Sequence, residues 1–455
     1  MFGAAEMLIL VAVLLALVFS GVHIAVALGS AAMLGIYLMT GDFAVVAKFL
    51  GSTAYEAVRD YVFAVIPLFM LMGEFLAKCG AATDLFALVN RLTRIVPGRL
   101  AVATVLSNAV FAFVTGVSIA AAAAFSRIAY PEMKRHGYDD SFALGCIAGS
   151  ACLGMLIPPS VLMIVWGILT ETSIGDLFLA GVLPGFLLAA LYVVYILAAA
   201  ALKPALVGES PRPPSSGGAT AIGVARRGAA RERDEPEIGR ALLSTFLVIG
   251  LVAGTLGGIW FGAFTPTEGA GVGAAAALVL ALGKGLRAKE IGEAIFSVGR
   301  TSAPLLLLLV TAQLYSRVLT MTGFTRTVQE LLLGAGLSQT MVLLLMVLVW
   351  FVLGCIIDSI SIMLLTVPIF APIAAALGFD PLAFAIMAIV AIETGLLTPP
   401  FGLLVFTVKA ATHEENVSVG RIFAGSTPYW VALMAVIVCL WMFPQIATFL
   451  PRLLK

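Results

Sequence analysis

Long apolar runs separated by short polar stretches dominate the sequence. Such runs predict membrane helices, because roughly 17 to 25 apolar residues cross the hydrocarbon layer of a bilayer. Most runs are about that long, and the longest can hold a hairpin of two helices. They cover residues 7–20, 22–39, 61–77, 100–128, 141–170, 177–201, 241–262, 268–283, 301–320, 340–375, 382–408 and 428–449. The pattern predicts an all-α, polytopic membrane protein with about 10–12 membrane helices plus two hairpins.

Three other stretches do not read as membrane spans. Residues 80–99 place Leu85 and Leu88 at helical spacing opposite Asp84, which predicts an amphipathic arm along the membrane interface. Residues 323–337 form a short polar interval. Residues 203–240 are rich in Pro, Gly, Ser and Arg and can bury no core, which predicts a disordered, basic cytoplasmic linker.

Composition agrees with a chain that mostly faces lipid. Hydrophobic residues make up 61% of the 455 positions and charged residues 11%, and the mean hydropathy is +1.10. A soluble protein carries about 25% charged residues. Most charged residues lie in loops and the linker, so we expect the bilayer as the main surrounding and no nucleic-acid partner.

The regions on either side of the linker resemble each other. Adding 241 to a position in residues 1–202 repeatedly gives the same residue type in residues 241–455. This shift maps Pro131, Gly137, Asp139, Gly154, Pro158 and Pro159 onto Pro372, Gly378, Asp380, Gly395, Pro399 and Pro400. We therefore expect two repeats, each with scaffold helices, a hairpin (100–128 or 340–375) and a Pro-Pro broken helix (141–170 or 382–408).

The positions of basic residues predict how the repeats are oriented. Short loops rich in Lys and Arg favour the cytoplasm. If residues 100–128 crossed the membrane once, Arg94 and Lys134 would lie on opposite sides, whereas a re-entrant hairpin keeps both in the cytoplasm. An odd number of crossings after the linker then starts the second hairpin outside. The two repeats are expected to have inverted topology, as in many secondary transporters.

Each repeat carries a Pro-Pro pair inside an apolar run, GMLIPPSVLMIV at 154–165 and GLLTPPFGLLVF at 395–406. Two prolines break a helix, and the break frees carbonyl groups in the preceding turn. Such breaks persist at membrane depth only where they line a cavity or bind something. Carbonyl oxygens are hard ligands suited to sodium. We expect one sodium site per repeat, built from a hairpin tip and a broken helix.

The first site is expected to use Thr115, Gly116 and Ser118 of the hairpin tip with Gly154, Ile157, Pro158 and Ser160 of the break. The second is expected to use Asp358, Ser359 and Ser361 with Gly395, Thr398 and Pro399. An acid at membrane depth indicates function by default, which favours Asp358. Glu393 is a weaker candidate, since it could instead pair with Lys409. Thr265 to Glu268, TPTE, reads as a helix cap rather than a ligand.

These stretches resemble the large membrane subunit, DctM-like, of TRAP (tripartite ATP-independent periplasmic) transporters within the ion transporter superfamily. The resemblance rests on GSACLGMLIPPSVLMIVWG, TSIGDLFLAGVLPG, GAFTPTEGAGVGA, and GLLTPPFGLLVF followed by FAGSTPYW. It implies sodium-coupled import of an organic acid by an elevator mechanism. It also implies a periplasmic substrate-binding protein and a small DctQ-like membrane subunit as partners, a bacterial or archaeal inner membrane, and no cofactor other than sodium as coupling ion.

Other functional classes fit less well. An ATP-driven pump needs a GxxxxGK[ST] loop, and Gly283-Lys284-Gly285 lacks its Ser or Thr. The sequence contains no HExxH motif, which would have indicated an intramembrane metalloprotease. An enzyme is therefore not expected. A dicarboxylate- or citrate-type symporter that works without a binding protein remains the alternative. A C4-dicarboxylate, a sugar acid and a related carboxylate all stay open as substrates.

Overall fold

The computed structural model describes residues 4–208, 238–334, 336–412 and 417–454. These residues are helical, apart from turns, loops and an isolated β-bridge between Tyr138 and Val207. Within them, eight helices are long and apolar enough to cross a membrane. The all-α, multi-pass prediction is therefore confirmed.

The region before the first hairpin contains five helices and a 3₁₀ turn at Tyr61–Ala64. The helices are α1 (Ala4–Phe19), α2 (Ile24–Thr40), α3 (Phe43–Arg59), α4 (Val65–Lys78) and α5 (Ala81–Leu92). The hairpin follows as α6 (Arg99–Thr115) and α7 (Ser118–Arg135). The broken helix is α8 (Asp140–Ala151), α9 (Leu153–Leu156) and α10 (Val161–Thr170), and α11 (Ile174–Leu202) ends this part of the chain.

The same order of elements recurs after the linker. Four helices come first, namely α12 (Ile238–Trp260), α13 (Pro266–Gly283), α14 (Ala288–Thr322) and α15 (Phe324–Gly334). A hairpin of α16 (Gln339–Gly354) and α17 (Ser359–Ala376) follows. The second broken helix is α18 (Pro381–Gly395) and α19 (Leu403–Thr412), and α20 (Val419–Met442) and α21 (Gln445–Leu453) close the chain.

The hydrophobic pattern missed or misplaced some elements. Residues 43–59 form α3, and the polar interval 323–337 is largely the helix α15, because both segments are amphipathic rather than uniformly apolar. Helix α14 begins 13 residues before the predicted start at 301. Pro131 lies inside α7, which continues to Arg135.

The predicted linker 203–240 lies mostly outside the described residues. Its first residues are ordered, since Pro204–Leu206 form a 3₁₀ turn and the amide of Asp139 donates to the carbonyl of Leu206 over 3.0 Å. At its far end, α12 begins at Ile238. Described elements therefore reach into both ends of the predicted range, and the linker itself stays a prediction.

The core lies at the broken helices. In the most apolar window of residues 140–170, 89% of the residues are buried, compared with 39% for the windows in α12 and α13. Helix α18 is buried from Ala383 to its last residue. Helix α8 also packs closely against α20. A Cβ on Gly145 of α8 would overlap the backbone of Gly425 in α20.

Local chemistry explains where several helices begin. Asp139 and Asp380, which the shift of 241 relates, accept amide bonds at the starts of α8 and α18. Thr265 and Glu268 form a reciprocal capping box at the start of α13, with bonds of 2.8 and 3.3 Å. The prediction that TPTE is a helix cap is confirmed.

Candidate functional site

The first hairpin tip packs directly on the first Pro-Pro break. Gly116 joins α6 to α7 with a φ of +60°, and its carbonyl accepts a 3.2 Å bond from the amide of Val161, the first residue after the break. A Cβ at Gly116 would collide with the carbonyl of Pro159. This position therefore requires glycine both for its left-handed backbone and for the close contact.

The break itself is closed by Ser160. Its hydroxyl donates to the carbonyl of Met155 over 2.5 Å and accepts from the amide of Met163 over 3.4 Å, which caps α10. Ile157 is buried and ends α9, and the Pro158–Pro159 peptide bond is cis, as is Pro399–Pro400. The break is thus an ordered turn inside the protein.

The remaining first-site candidates differ in their exposure. A Cβ on Gly154 would lie 3.3 Å from the backbone nitrogen of Ser118, so the tip and the broken helix are in backbone contact. Ser118 is fully buried. Thr115 is half-buried, and its hydroxyl donates to the carbonyl of Phe111 over 3.3 Å.

The second tip is organised around Asp358. One of its carboxylate oxygens accepts bonds of 3.1 and 3.0 Å from the amides of Ile360 and Ser361, which caps α17. Asp358 is half-buried, whereas Ser359 and Ser361 are buried. The acid therefore has a structural role in the helix start, and among the described residues its second oxygen has no hydrogen-bond partner.

The second tip also packs on its own break. The hydroxyl of Thr398 lies 3.0 Å from the thiol of Cys355, the residue that ends α16, and donates to the carbonyl of Gly395 over 2.9 Å. Gly354 and Gly395 are in backbone contact, since a Cβ on Gly395 would lie 2.5 Å from the Cα of Gly354. Thr398, Gly395 and the turn ending at Pro399 are thus joined to the hairpin.

Glu393 connects the two sites. This residue of α18 is 1% exposed, and its Oε1 accepts a 3.0 Å bond from the hydroxyl of Ser359. Ser118 of the first tip and Cys152 of the first broken helix lie beside the same carboxyl group. The shift of 241 relates Ser118 to Ser359 and Cys152 to Glu393. Serines that this shift relates, one in each half of the chain, therefore converge on one acid.

Two atoms of this cluster lack hydrogen bonds. Within the described residues, neither Oε2 of Glu393 nor the hydroxyl of Ser118 makes one, and both are buried. Buried polar atoms without partners are uncommon in proteins. They mark a place where an ion, a water molecule or a small rearrangement supplies the missing partner.

The sequence anticipated the two tip-and-break pairs but not every neighbour. Cys152 and Cys355 are not among the predicted site residues, yet both contact the site. Glu393 bonds to Ser359, a partner that could not be read from the sequence. The shift of 241 offered one signal, because it pairs Cys152 with Glu393.

The freed carbonyl groups are partly used by the protein itself. Those of Met155, Gly395 and Leu397 accept bonds from the side chains of Ser160, Thr398 and Ser426. The carbonyl of Gly395 also accepts a 3.0 Å bond from the amide of Thr398, so both of its lone pairs are used.

The donor set fits a hard cation. It consists of carboxylate, hydroxyl and carbonyl oxygens, which suit sodium better than a transition metal. In the described parts of the chain, no group of three or more His, Cys, Asp or Glu residues could hold a metal ion.

Comparison with known proteins identifies the family of this chain. The family described as "Tripartite ATP-independent periplasmic transporter, DctM component" matches residues 11–446. The chain is 33% identical to the C4-dicarboxylate TRAP transporter large permease protein DctM of Pseudomonas aeruginosa, over 93% of either chain. It is 29% identical to the ectoine TRAP transporter large permease protein TeaC of Halomonas elongata, over 97% of this chain and 98% of that one.

A solved structure supports the fold. The crystal structure of the Alcanivorax borkumensis YdaH transporter aligns with a TM-score of 0.62 and 16% identity, over 88% of this chain and 89% of that chain. The curated relatives are transporter permeases and not enzymes. The full-length family match, the identity to DctM and the membrane helices lead to one conclusion: this chain belongs to the DctM family, the large permease subunits of TRAP transporters.

Proposed function

We propose that this subunit imports an organic acid by sodium coupling. Each half would bind one sodium ion where its hairpin tip meets its broken helix. One observation carries the proposal: the two tips are joined through Glu393, which contacts Ser359 and lies beside Ser118. Cations at the two tips would therefore be linked in binding and release.

The charge at the second tip supports a cation there. A carboxylate at membrane depth costs about 2.5 to 3.5 kcal/mol even on the milder insertion scales. Asp358 offsets part of this cost by capping α17 with one oxygen. A sodium ion bound to its other oxygen and to nearby hydroxyls would offset more.

An elevator mechanism would move the hairpins and broken helices together past a scaffold. The contacts that join each tip to its break, and the two breaks to each other, favour one moving body. Helix α14 is a candidate for the scaffold, since Arg317 pairs with Glu56 of α3 over 2.7 Å. The inverted topology of the two repeats is part of this proposal.

The partners and substrate also belong to the proposal. A small DctQ-like membrane subunit would extend the scaffold, and a periplasmic binding protein would deliver the substrate. The relatives are named for a C4-dicarboxylate and for ectoine, so substrates differ within the family. We propose a carboxylate because both named compounds carry at least one carboxylate group.

Reconstitution tests the proposal. Proteoliposomes that contain this subunit, the small subunit and the binding protein loaded with succinate should take up succinate when sodium is higher outside. Uptake should vanish without a sodium gradient and fall to background when the chain is reconstituted alone. Uptake that ignores sodium would overturn the coupling. Uptake by this chain alone would favour a symporter that needs no binding protein.

A further inference from the structure

A basic cavity of about 440 Å³ lies between the two halves of the chain, at the end predicted to face the cytoplasm. Its walls are α7 of the first hairpin and the last residues of α19, Ala411 and Thr412. Among the described residues that line it, three are cations, namely Arg127, Lys134 and Arg135, and none is acidic. The proposed sodium sites use none of these residues.

The cations of this cavity share one face of α7. Arg127, Tyr130 and Lys134 follow one another at three- and four-residue spacing, which places them on the same side of a helix. Lys134 lies over the ring of Tyr130, 5.6 Å from its centre. Arg135 pairs with Glu132 over 3.7 Å.

Arg127 differs from its neighbours. No residue in the described parts of the chain forms an ion pair or hydrogen bond with its guanidinium group. The group is exposed at the cavity. Arginine presents a planar fork of N–H donors that matches two oxygens of a carboxylate or phosphate.

The position of the cavity relates it to the two breaks. Helix α7 starts at Ser118 of the first tip, and Arg127 follows nine residues later, about 13 Å along the axis. Helix α19 starts just after the second Pro-Pro pair. Both walls of the cavity therefore begin at a candidate sodium site and run away from it.

We infer that this cavity binds an oxyanion, with Arg127 as its principal ligand. Two sources present that chemistry. One is the carboxylate of the substrate after release towards the cytoplasm, which rests on the proposed function. The other is the phosphate of an anionic lipid headgroup, which does not, since basic pockets between membrane helices also bind headgroups.

Binding measurements test the inference without transport. The purified chain is placed in nanodiscs of zwitterionic phosphatidylcholine, and the binding of succinate and of inorganic phosphate is measured by calorimetry. Arg127→Gln should weaken binding at least about tenfold, because a charge-assisted bidentate contact is lost. The matched control is Arg94→Gln, which removes an exposed charge outside the cavity and should change affinity less than about twofold.

A second arm separates the two sources. Native mass spectrometry counts the phosphatidylglycerol molecules that stay bound after extraction from nanodiscs containing that lipid. Loss of succinate binding alone in Arg127→Gln assigns the cavity to the substrate, and loss of bound phosphatidylglycerol assigns it to lipid. If Arg127→Gln matches Arg94→Gln for succinate, phosphate and lipid, the inference is wrong. Neither arm requires a sodium gradient, so failure of the proposed coupling would leave both readouts intact.

Discussion

The two Pro-Pro breaks share a backbone arrangement but differ in their side chains. Each pairs a hairpin tip with a Pro-Pro turn. Where the first half has Val117 and Cys152, the second has Asp358 and Glu393, 241 positions later. Both acids of the cluster therefore come from the second half. The comparison indicates that the glycines and prolines shared by the two halves serve the backbone contacts, whereas the charge at the site comes from the second half alone.

The largest difference in stability is expected between alanine substitutions at Gly154 and Gly395, which the shift of 241 relates. A Cβ on Gly395 would lie 2.5 Å from the Cα of Gly354 and 2.7 Å from the carbonyl of Phe351, both backbone atoms. On Gly154 the nearest contact would be 3.2 Å, to the carbonyl carbon of Val117. Gly395→Ala should cost about 3 kcal/mol of stability, and Gly154→Ala about 1 kcal/mol.

Thermal unfolding of the two purified variants measures this difference. Gly395→Ala should also reduce the yield of folded protein. Equal unfolding temperatures for the two variants would mean that the backbones at the second break separate without cost, and the comparison of the two contacts would fail.

The next effect concerns the charge at the second tip. Asp358→Asn keeps a good helix cap, because asparagine accepts the same amide bonds, and it removes the carboxylate. The sodium concentration for half-maximal uptake in the complete reconstituted system should rise at least about tenfold. The control is Val117→Asn at the equivalent first-half position, where no charge is lost. An unchanged sodium dependence in folded Asp358→Asn would make this acid purely structural.

A smaller effect is expected at the acid between the halves. Glu393→Ala removes the acceptor for Ser359 and leaves that buried hydroxyl without a partner, which should cost about 1 to 3 kcal/mol. Glu393→Gln keeps an acceptor oxygen and should recover most of this loss. The measurement is again the unfolding temperature, with Cys152→Ala as the equivalent change in the first half. Equal losses for Ala and Gln would show that the bond to Ser359 contributes nothing.

The smallest effect on stability is expected at the residues that follow the two proline pairs. Ser160 caps α10, whereas its equivalent Phe401 is 59% exposed, and α19 starts two residues later. Ser160→Ala should therefore lower stability by about 1 kcal/mol, and Phe401→Leu by less than about 0.5 kcal/mol. A larger loss at Phe401, measured by thermal unfolding in detergent, would contradict the assignment of the capping role to the first half alone.

The lengths of the apolar runs and the positions of the prolines predicted most of the fold. The all-α membrane class, the hairpins and both breaks followed from them, because lipid demands internally bonded helices and two prolines interrupt one. The helices α3 and α15 were missed because amphipathic segments have no long apolar run.

The sequence by itself determined where the candidate site lies: at two proline breaks, two hairpin tips and an acid inside an apolar run. Only the tertiary structure decided that Glu393 meets Ser359 and lies beside Ser118 and Cys152, and that Arg127 faces a shared cavity. Local hydrogen bonding and hydrophobic periodicity depend on nearby residues, so they can be read along the chain. Ser359 and Glu393 are 34 positions apart on different helices, and Cys152 and Glu393 are 241 positions apart. Such contacts depend on how the helices pack, and no local pattern encodes that packing.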